Sequence, residues 1–212
     1  MELKGKKVNF LGDSITQGVG ASCEQNKYVE VFARLTGAKV RNYGISGTRI
    51  ARQHGVNPYG ECYCYRIDTM DADADVVVVF GGTNDYGHGD APIGTPDDKT
   101  PDTFYGACNY LACELMKKYP TATIVFLTPL HRVNEDFSAS QRPDGPVLKE
   151  FVDIIREVAE KYSIPVLDLW KMAGIQPNIE ISKITYMPDG LHPNDAGHAL
   201  LANRLAGFLR SL

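Results

Sequence analysis

The chain has 212 residues and a net charge of -4, with 43% hydrophobic and 23% charged residues. This composition is ordinary for a globular protein, and an acidic balance without a Lys/Arg run argues against a nucleic-acid partner. No apolar stretch is long enough to span a bilayer, so no membrane partner is expected. We predict a single domain over residues 1–212. Because no signal-peptide core is visible, we expect it in the cytoplasm, with a processed secreted form left open.

Short apolar strands alternate with helical patterns along the chain. The predicted strands cover residues 6–11, 39–45, 75–80, 122–127 and 165–169. The predicted helices cover residues 28–36, 103–119, 147–162 and 194–212, with Asp102 expected to cap the second of them. Strands that are apolar on both faces and alternate with helices are typical of a parallel sheet covered on both sides. The sequence therefore predicts an α/β fold with a parallel sheet of about five strands.

Polar residues follow the predicted strands. In chain order they are Ser14, Gly44 and Ser46, Asn84, His131, and finally Asp189 and His192. Ligands of open parallel sheets bind at the carboxyl ends of the strands, so these side chains are expected at one edge. A serine needs a base to take its proton and a carboxylate to orient that base, which makes a Ser-His-Asp hydrolase the favoured chemistry.

Four segments of the chain resemble the GDSL, or SGNH, family of ester hydrolases. They are GDSITQG at 12–18, NYGISGTR at 42–49, GGTND at 81–85 and DGLHPN at 189–194, in the order of the family. The resemblance implies a flavodoxin-like three-layer α/β/α sandwich and a serine esterase that needs no metal or organic cofactor. It implies that Ser14 is the nucleophile, His192 the base and Asp189 its orienting acid. The oxyanion hole implied by the resemblance consists of the Ser14 and Gly44 amides and the Asn84 side chain.

Four further residues near these segments are candidates for substrate contact. Asp13 is expected to brace the turn that exposes Ser14, with a substrate contact as the alternative, and Asp85 either braces Asn84 or binds substrate. Tyr86 lies in a long loop, residues 86–102, of the kind that forms lids or binding loops. His131, with Arg132 beside it, follows the fourth strand and is a candidate substrate contact.

Other basic residues and the cysteines have less specific interpretations. Arg49 and His54 are expected at the surface, with substrate binding as the alternative for Arg49. His198 is expected to be structural because it lies inside the last helix. The five cysteines are odd in number, and the Cys62-x-Cys64 spacing is not that of a zinc knuckle. We predict free thiols and no metal site.

The sequence leaves the substrate open. Polar and aromatic loops after the third and fourth strands favour a small ester, with deacetylation of a carbohydrate as the preferred class. Lysophospholipase, thioesterase and arylesterase activities remain alternatives. A non-catalytic binding module is disfavoured because every catalytic position is filled, and a nucleotide-binding protein because no phosphate-binding glycine motif is present. The expected partner is a small-molecule ester, and the oligomeric state is open.

Overall fold

The computed structural model describes residues 1–52, 62–88, 91–136 and 145–212. Its parallel sheet contains β1 (Lys7–Gly12), β2 (Lys39–Gly44), β3 (Val76–Phe80), β4 (Thr123–Leu127) and β5 (Val166–Leu167). The strand order is β2-β1-β3-β4-β5, and each neighbouring pair is parallel. This is the flavodoxin-like order, which confirms the predicted fold class and the five-stranded parallel sheet.

Helices cover both faces of the sheet. Those of the described residues are α1 (Ser14–Gln17), α2 (Tyr28–Thr36), α3 (Tyr63–Arg66), α4 (Thr83–His88), α5 (Phe104–Lys118), α6 (Leu148–Lys161), α7 (Leu169–Met172), α8 (Glu180–Tyr186) and α9 (Asp195–Ser211). Helices α2 and α9 share one hydrophobic core with the sheet, and α5 and α6 share the other. The three layers follow from this arrangement.

The strand residues supply the two cores alternately because successive side chains point to opposite faces of a sheet. Phe10 and Val78 belong to the core beneath α2 and α9, whereas Leu11 and Val79 belong to the core beneath α5 and α6. All four side chains are almost fully buried. Burial on both faces explains why β3 is a continuous apolar run.

Two predicted element boundaries are wrong. The fifth strand is limited to two residues because Asp168 caps α7 and its side chain accepts the Lys171 amide proton. The N-terminal cap of α5 is Thr103, whose hydroxyl accepts from the Gly106 amide at 3.1 Å. Asp102, the expected cap, instead forms an ion pair with Arg52 at 3.1 Å.

The predicted 86–102 loop is partly ordered by neighbouring elements. Its beginning belongs to α4, and its later part is fastened to α5, where the Asn109 side chain donates to the carbonyls of Pro96 and Asp98 at 3.2 and 2.9 Å. Residues 89 and 90 of this loop, like His54, lie outside the described residues. The lid hypothesis therefore stays a prediction, as does the surface position of His54.

Neither a membrane helix nor a metal cluster is found in the part of the chain that the structure describes. None of the helices in the four described ranges is both long and apolar enough to cross a bilayer. Within the same ranges, no three His, Cys, Asp or Glu side chains are grouped so that they could hold a metal ion. All five cysteines carry free thiols, and those of Cys62, Cys64 and Cys108 are buried.

Candidate active site

Ser14, His192 and Asp189 form one hydrogen-bonded chain. Ser14 is the first residue of α1, directly after the carboxyl end of β1. Its Oγ lies 3.0 Å from His192 Nε2, and His192 Nδ1 lies 2.7 Å from Asp189 Oδ2. These separations place a hydroxyl, an imidazole and a carboxylate within direct proton-transfer reach, so the predicted three residues are brought together.

The turn that carries Asp189 and His192 is stabilised by hydrogen bonds between the Asp189 side chain and the backbone of the turn. Asp189 Oδ1 accepts from the Leu191 and His192 amides at 2.8 and 2.7 Å, while its other oxygen holds the imidazole. Gly190 has φ +79°, a conformation that favours glycine. Burial opposes the ionisation of Asp189, but the amide hydrogen bonds and His192 hold its pKa below the usual value. The carboxylate is therefore ionised when it orients His192.

Neighbouring segments hold this turn in place. The Val133 amide donates to Gly190 O at 3.0 Å, and a Cβ on Gly190 would lie 2.6 Å from the Val133 side chain. On the other side, Gly20 is packed so closely that a Cβ there would lie 2.2 Å from Pro193 O. The chain positions of Val133 and Gly20 are remote from His192, which is why the motif alone did not identify them.

The structure does not support the prediction that the Gly44 amide is an oxyanion donor. Its amide donates to the Asn42 side chain at 2.8 Å, which already satisfies it. A Cβ on Gly44 would lie 2.2 Å from Gln17 N, so close packing of α1 against β2 explains the glycine. Substrate approach is not needed to account for it.

Gly47 provides a better placed amide in the same segment. The neighbouring amides of Ile45, Ser46 and Thr48 donate to Gly12 O, Gln17 Oε1 and Ile45 O. Within the four described ranges, the Gly47 N–H has no acceptor, and the residue adopts φ +78°. The adjacent Thr48 carbonyl accepts from Asn84 Nδ2 at 3.0 Å, so Gly47 lies beside Asn84. Since an amide group carries two N–H donors, Asn84 retains one beyond this bond.

Asp13 and Asp85 are buried supports. Asp13 caps α1 by accepting from the Ile15 amide at 3.0 Å. Asp85 accepts from the Ile50 and Ala51 amides at 3.0 and 2.8 Å, which fixes the segment next to Thr48. Burial raises the pKa of Asp13 to about 7 and that of Asp85 to about 6. Both side chains are buried. Asp13 braces the turn that carries Ser14, as expected, whereas Asp85 braces the Ile50 and Ala51 backbone and not Asn84. A substrate contact for either residue stays a prediction.

Tyr86 and His131 differ in their accessibility. Tyr86 is buried, and its hydroxyl donates to Asn134 O, so the structure does not support a direct substrate contact. The His131 side chain keeps 20% exposure. Its Nδ1 lies 2.9 Å from Glu135 Oε1, and its ring packs on Trp170 with centroids 3.8 Å apart. His131 therefore remains a candidate at the rim of the site.

Arg49 and His198 lie in the interior. The surface prediction for Arg49 is wrong, because the residue is only 5% exposed and burial lowers its pKa against the opposing charge of Asp85. The structural prediction for His198 is confirmed: its Nδ1 accepts from the Tyr28 amide at 3.2 Å, and its Nε2 lies 3.2 Å from Val19 O.

The chain is similar to known proteins along most of its length. Residues 10–200 match the model of the GDSL-like lipase/acylhydrolase family. The chain is 28% identical over 214 residues to a GDSL lipase of Mycobacterium tuberculosis, covering 95% of this chain and 80% of that protein.

The fold is also similar to those of solved structures. A protein from Lactobacillus plantarum shares 33% identity at a TM-score of 0.85, over 99% of this chain and 98% of that one. The lipase/acylhydrolase of Enterococcus faecalis shares the fold at a TM-score of 0.67 and 20% identity, over 97% and 96% of the two chains. The chain therefore belongs to the GDSL-like lipase/acylhydrolase family, a membership that indicates an ester hydrolase.

Proposed function

We propose that the protein is a serine esterase that releases small acyl groups through an acyl-enzyme intermediate. The observation that carries this proposal is the hydrogen-bonded chain from Ser14 through His192 to Asp189. In the proposed reaction, His192 Nε2 takes the Ser14 proton as Oγ attacks the ester carbonyl, and then protonates the leaving alcohol. Water attacks the acyl-enzyme by the same route, which restores the Ser14 hydroxyl.

The proposed oxyanion hole combines the Ser14 amide, the Gly47 amide and the second N–H of the Asn84 side chain. Ser14 N is the first amide of α1, a position that has no acceptor within its own helix. Asn84 is held by Thr48 on one side, so its amide group is oriented before substrate binds. A preorganised donor of this kind contributes about 3–4 kcal/mol to the stabilisation of the tetrahedral intermediate.

A small acyl group on a polar alcohol, such as an acetylated carbohydrate, is the proposed substrate class. A crevice beside Ser14 and His192 has room for only about 10 Å³, and it is lined by Asp13, Ile15, Phe80, Gly81, Thr83, Pro129, Leu130, His131, Arg132 and Leu191. This space is small for a long acyl chain. The histidine, arginine and hydroxyl side chains in its walls favour polar substrates.

Lipid acyl hydrolysis is the second candidate. Helix α8 precedes the turn that carries Asp189, and it exposes Ile181 and Ile184 by 70% and 59%. Exposed apolar side chains beside an active site favour contact with a lipid. The relatives from Mycobacterium tuberculosis and Enterococcus faecalis are named lipases, which supports the same candidate.

A panel of esters tests the proposal and separates the two candidates. Wild-type protein is assayed on 4-nitrophenyl esters from acetate to laurate and on acetylated xylose, with released acid measured. We expect the rate to fall as the acyl chain lengthens. The Ser14→Ala variant should lose at least roughly 10⁴-fold in kcat while keeping its circular dichroism spectrum.

Ser211→Ala, at the exposed end of α9, is the matched control and should retain wild-type rates. Sustained or rising rates on long chains would favour the lipid candidate. Unchanged turnover by Ser14→Ala would contradict the proposed nucleophile.

A further inference from the structure

Arg132 contacts the segment that carries Asn84 and directly precedes the residue that anchors the turn of Asp189 and His192. Its Nη1 donates to the Thr83 hydroxyl at 3.2 Å and the Thr83 carbonyl at 3.3 Å, next in the chain to Asn84. Its guanidinium carbon lies 5.4 Å from the centre of the Tyr86 ring. The following residue, Val133, anchors Gly190 in the turn that carries Asp189 and His192. The guanidinium is therefore fixed to the segment that carries Asn84, and the backbone that follows it is fastened to the turn that carries His192.

The positive charge of Arg132 is not neutralised by an ion pair in the part of the chain that the structure describes. Glu135 is close, but its two oxygens are used by His131 Nδ1 and by the backbone amide of Arg132, each at 2.9 Å. Arg132 Nε is buried and lacks a hydrogen-bond acceptor among the described residues. Burial lowers the pKa of Arg132, with nearby tyrosine and carboxylate groups opposing the change. A half-buried cation without a counter-charge is better satisfied when an anionic group binds beside it.

Two further basic groups, Arg49 and His88, lie near Arg132. Burial lowers the pKa of His88, and the charges of Arg49 and Arg132 lower it further, so the three groups are near one another. The nearest catalytic carboxylate, Asp189, is already engaged by two amides and by His192. Arg132 also lines the crevice together with Ile15 and Leu191, the neighbours of Ser14 and His192.

We propose that Arg132 is a specificity-determining residue that binds a carboxylate or phosphate group of the substrate, so that anionic esters are preferred. A planar guanidinium with unused donors is suited to such groups, which it holds through paired charged hydrogen bonds. The inference rests on the proposed esterase function, since it names the charge of the substrate for the same site.

Two pairs of esters test the preference and locate the anion. Mono-4-nitrophenyl succinate against 4-nitrophenyl butyrate places a carboxylate on the acyl side, and 4-acetoxybenzoate against phenyl acetate places it on the alcohol side. We expect wild-type kcat/KM to favour the anionic ester of at least one pair by about 10- to 100-fold, the range for a hydrogen bond to a charged group. Inorganic phosphate should compete with the preferred anionic ester.

Variants separate recognition from a structural role. Arg132→Gln should lower kcat/KM on the anionic ester about 10- to 100-fold more than on its neutral partner, so that the preference disappears, and Arg132→Lys should restore part of it. Arg41→Gln removes the same charge at a site where Arg41 pairs with Asp71 and Asp73, and it should keep the preference. Thermal unfolding checks that each variant is folded.

Three results would overturn the inference. Equal kcat/KM for anionic and neutral esters in both pairs would reject it and leave the esterase proposal intact. An equal loss on neutral and anionic esters in Arg132→Gln would assign the residue a structural role only. Failure of the wild-type protein to hydrolyse any ester would reject both proposals.

Discussion

Asp13 carries a carboxylate that the folded protein keeps away from water, and this predicts a specific pH dependence of stability. Burial raises its pKa from 3.8 to about 7, with Asp85 adding to the effect, while the Ile15 amide and Arg66 oppose it. Because the folded pKa lies above the unfolded value, the fold favours protonated Asp13. The stability advantage of the protonated form is present below about pH 4 and is lost as the pH rises to about 7.

The size of the effect on the free energy of unfolding follows from the pKa shift of Asp13. About three pKa units at 1.36 kcal/mol each amount to about 4 kcal/mol, of which about 2.5 kcal/mol is lost between pH 5 and pH 8. Asp13→Asn keeps a side-chain oxygen for the Ile15 amide but cannot ionise. The difference in unfolding free energy between the wild type and Asp13→Asn should therefore shift by about 2.5 kcal/mol toward the variant on going from pH 5 to pH 8.

Urea denaturation of both proteins at the two pH values measures this difference. Contributions of the substitution that do not depend on pH cancel in the comparison. Asp75→Asn is the control: a hydrogen bond from the Lys7 amide lowers the pKa of Asp75, so that carboxylate is ionised at both pH values and its variant should show no such shift. A wild-type to Asp13→Asn difference that is the same at pH 5 and pH 8 would refute the reasoning.

Four further predictions address the site. Asn84→Ala should lower kcat by about 10²- to 10³-fold with little change in KM, and an unchanged kcat in steady-state assays would remove Asn84 from the oxyanion hole. Asp189→Asn should lower kcat by roughly 10⁴-fold because the imidazole loses its orienting charge, and wild-type kinetics would contradict that role. Gly20→Ala should lower kcat by displacing Pro193, whereas Gly5→Ala, which has a similar positive φ but open space around it, should cost stability alone; equal kinetics for the two would reject the packing argument. Chelation by EDTA should leave ester hydrolysis unchanged, and a loss reversed by a divalent cation would reveal a metal requirement.

The strands and the three hydrogen-bonded residues could be predicted from sequence because their signals are local. The valine run of β3 has high β-propensity and is followed by Gly81 and Gly82, and the motifs that carry Ser14 and Asn84 each follow a strand at its carboxyl end. In a parallel sheet those ends meet at one edge, so separate motifs converge without further information.

Other features depend on contacts between remote segments. The segment at 42–49 contains Gly44 and Gly47, and only the position of the Asn42 side chain shows that the first amide is occupied. Charged side chains are mostly exposed, which favours a surface position for Arg49, yet the residue is buried near the charge of Asp85. Helix α8 has no buried residues, so its sequence lacks the apolar stripe of a helix that packs on a core and the helix is not predicted.

Covalent labelling tests the assignment of Ser14 as the nucleophile most directly. The protein is treated with a fluorophosphonate, and the adduct is located by mass spectrometry in the tryptic peptide of residues 8–27. We expect one adduct per chain on Ser14 in the wild type, none in Ser14→Ala and much slower labelling in His192→Ala. An unlabelled wild type, or equal labelling of Ser14→Ala, would contradict the account.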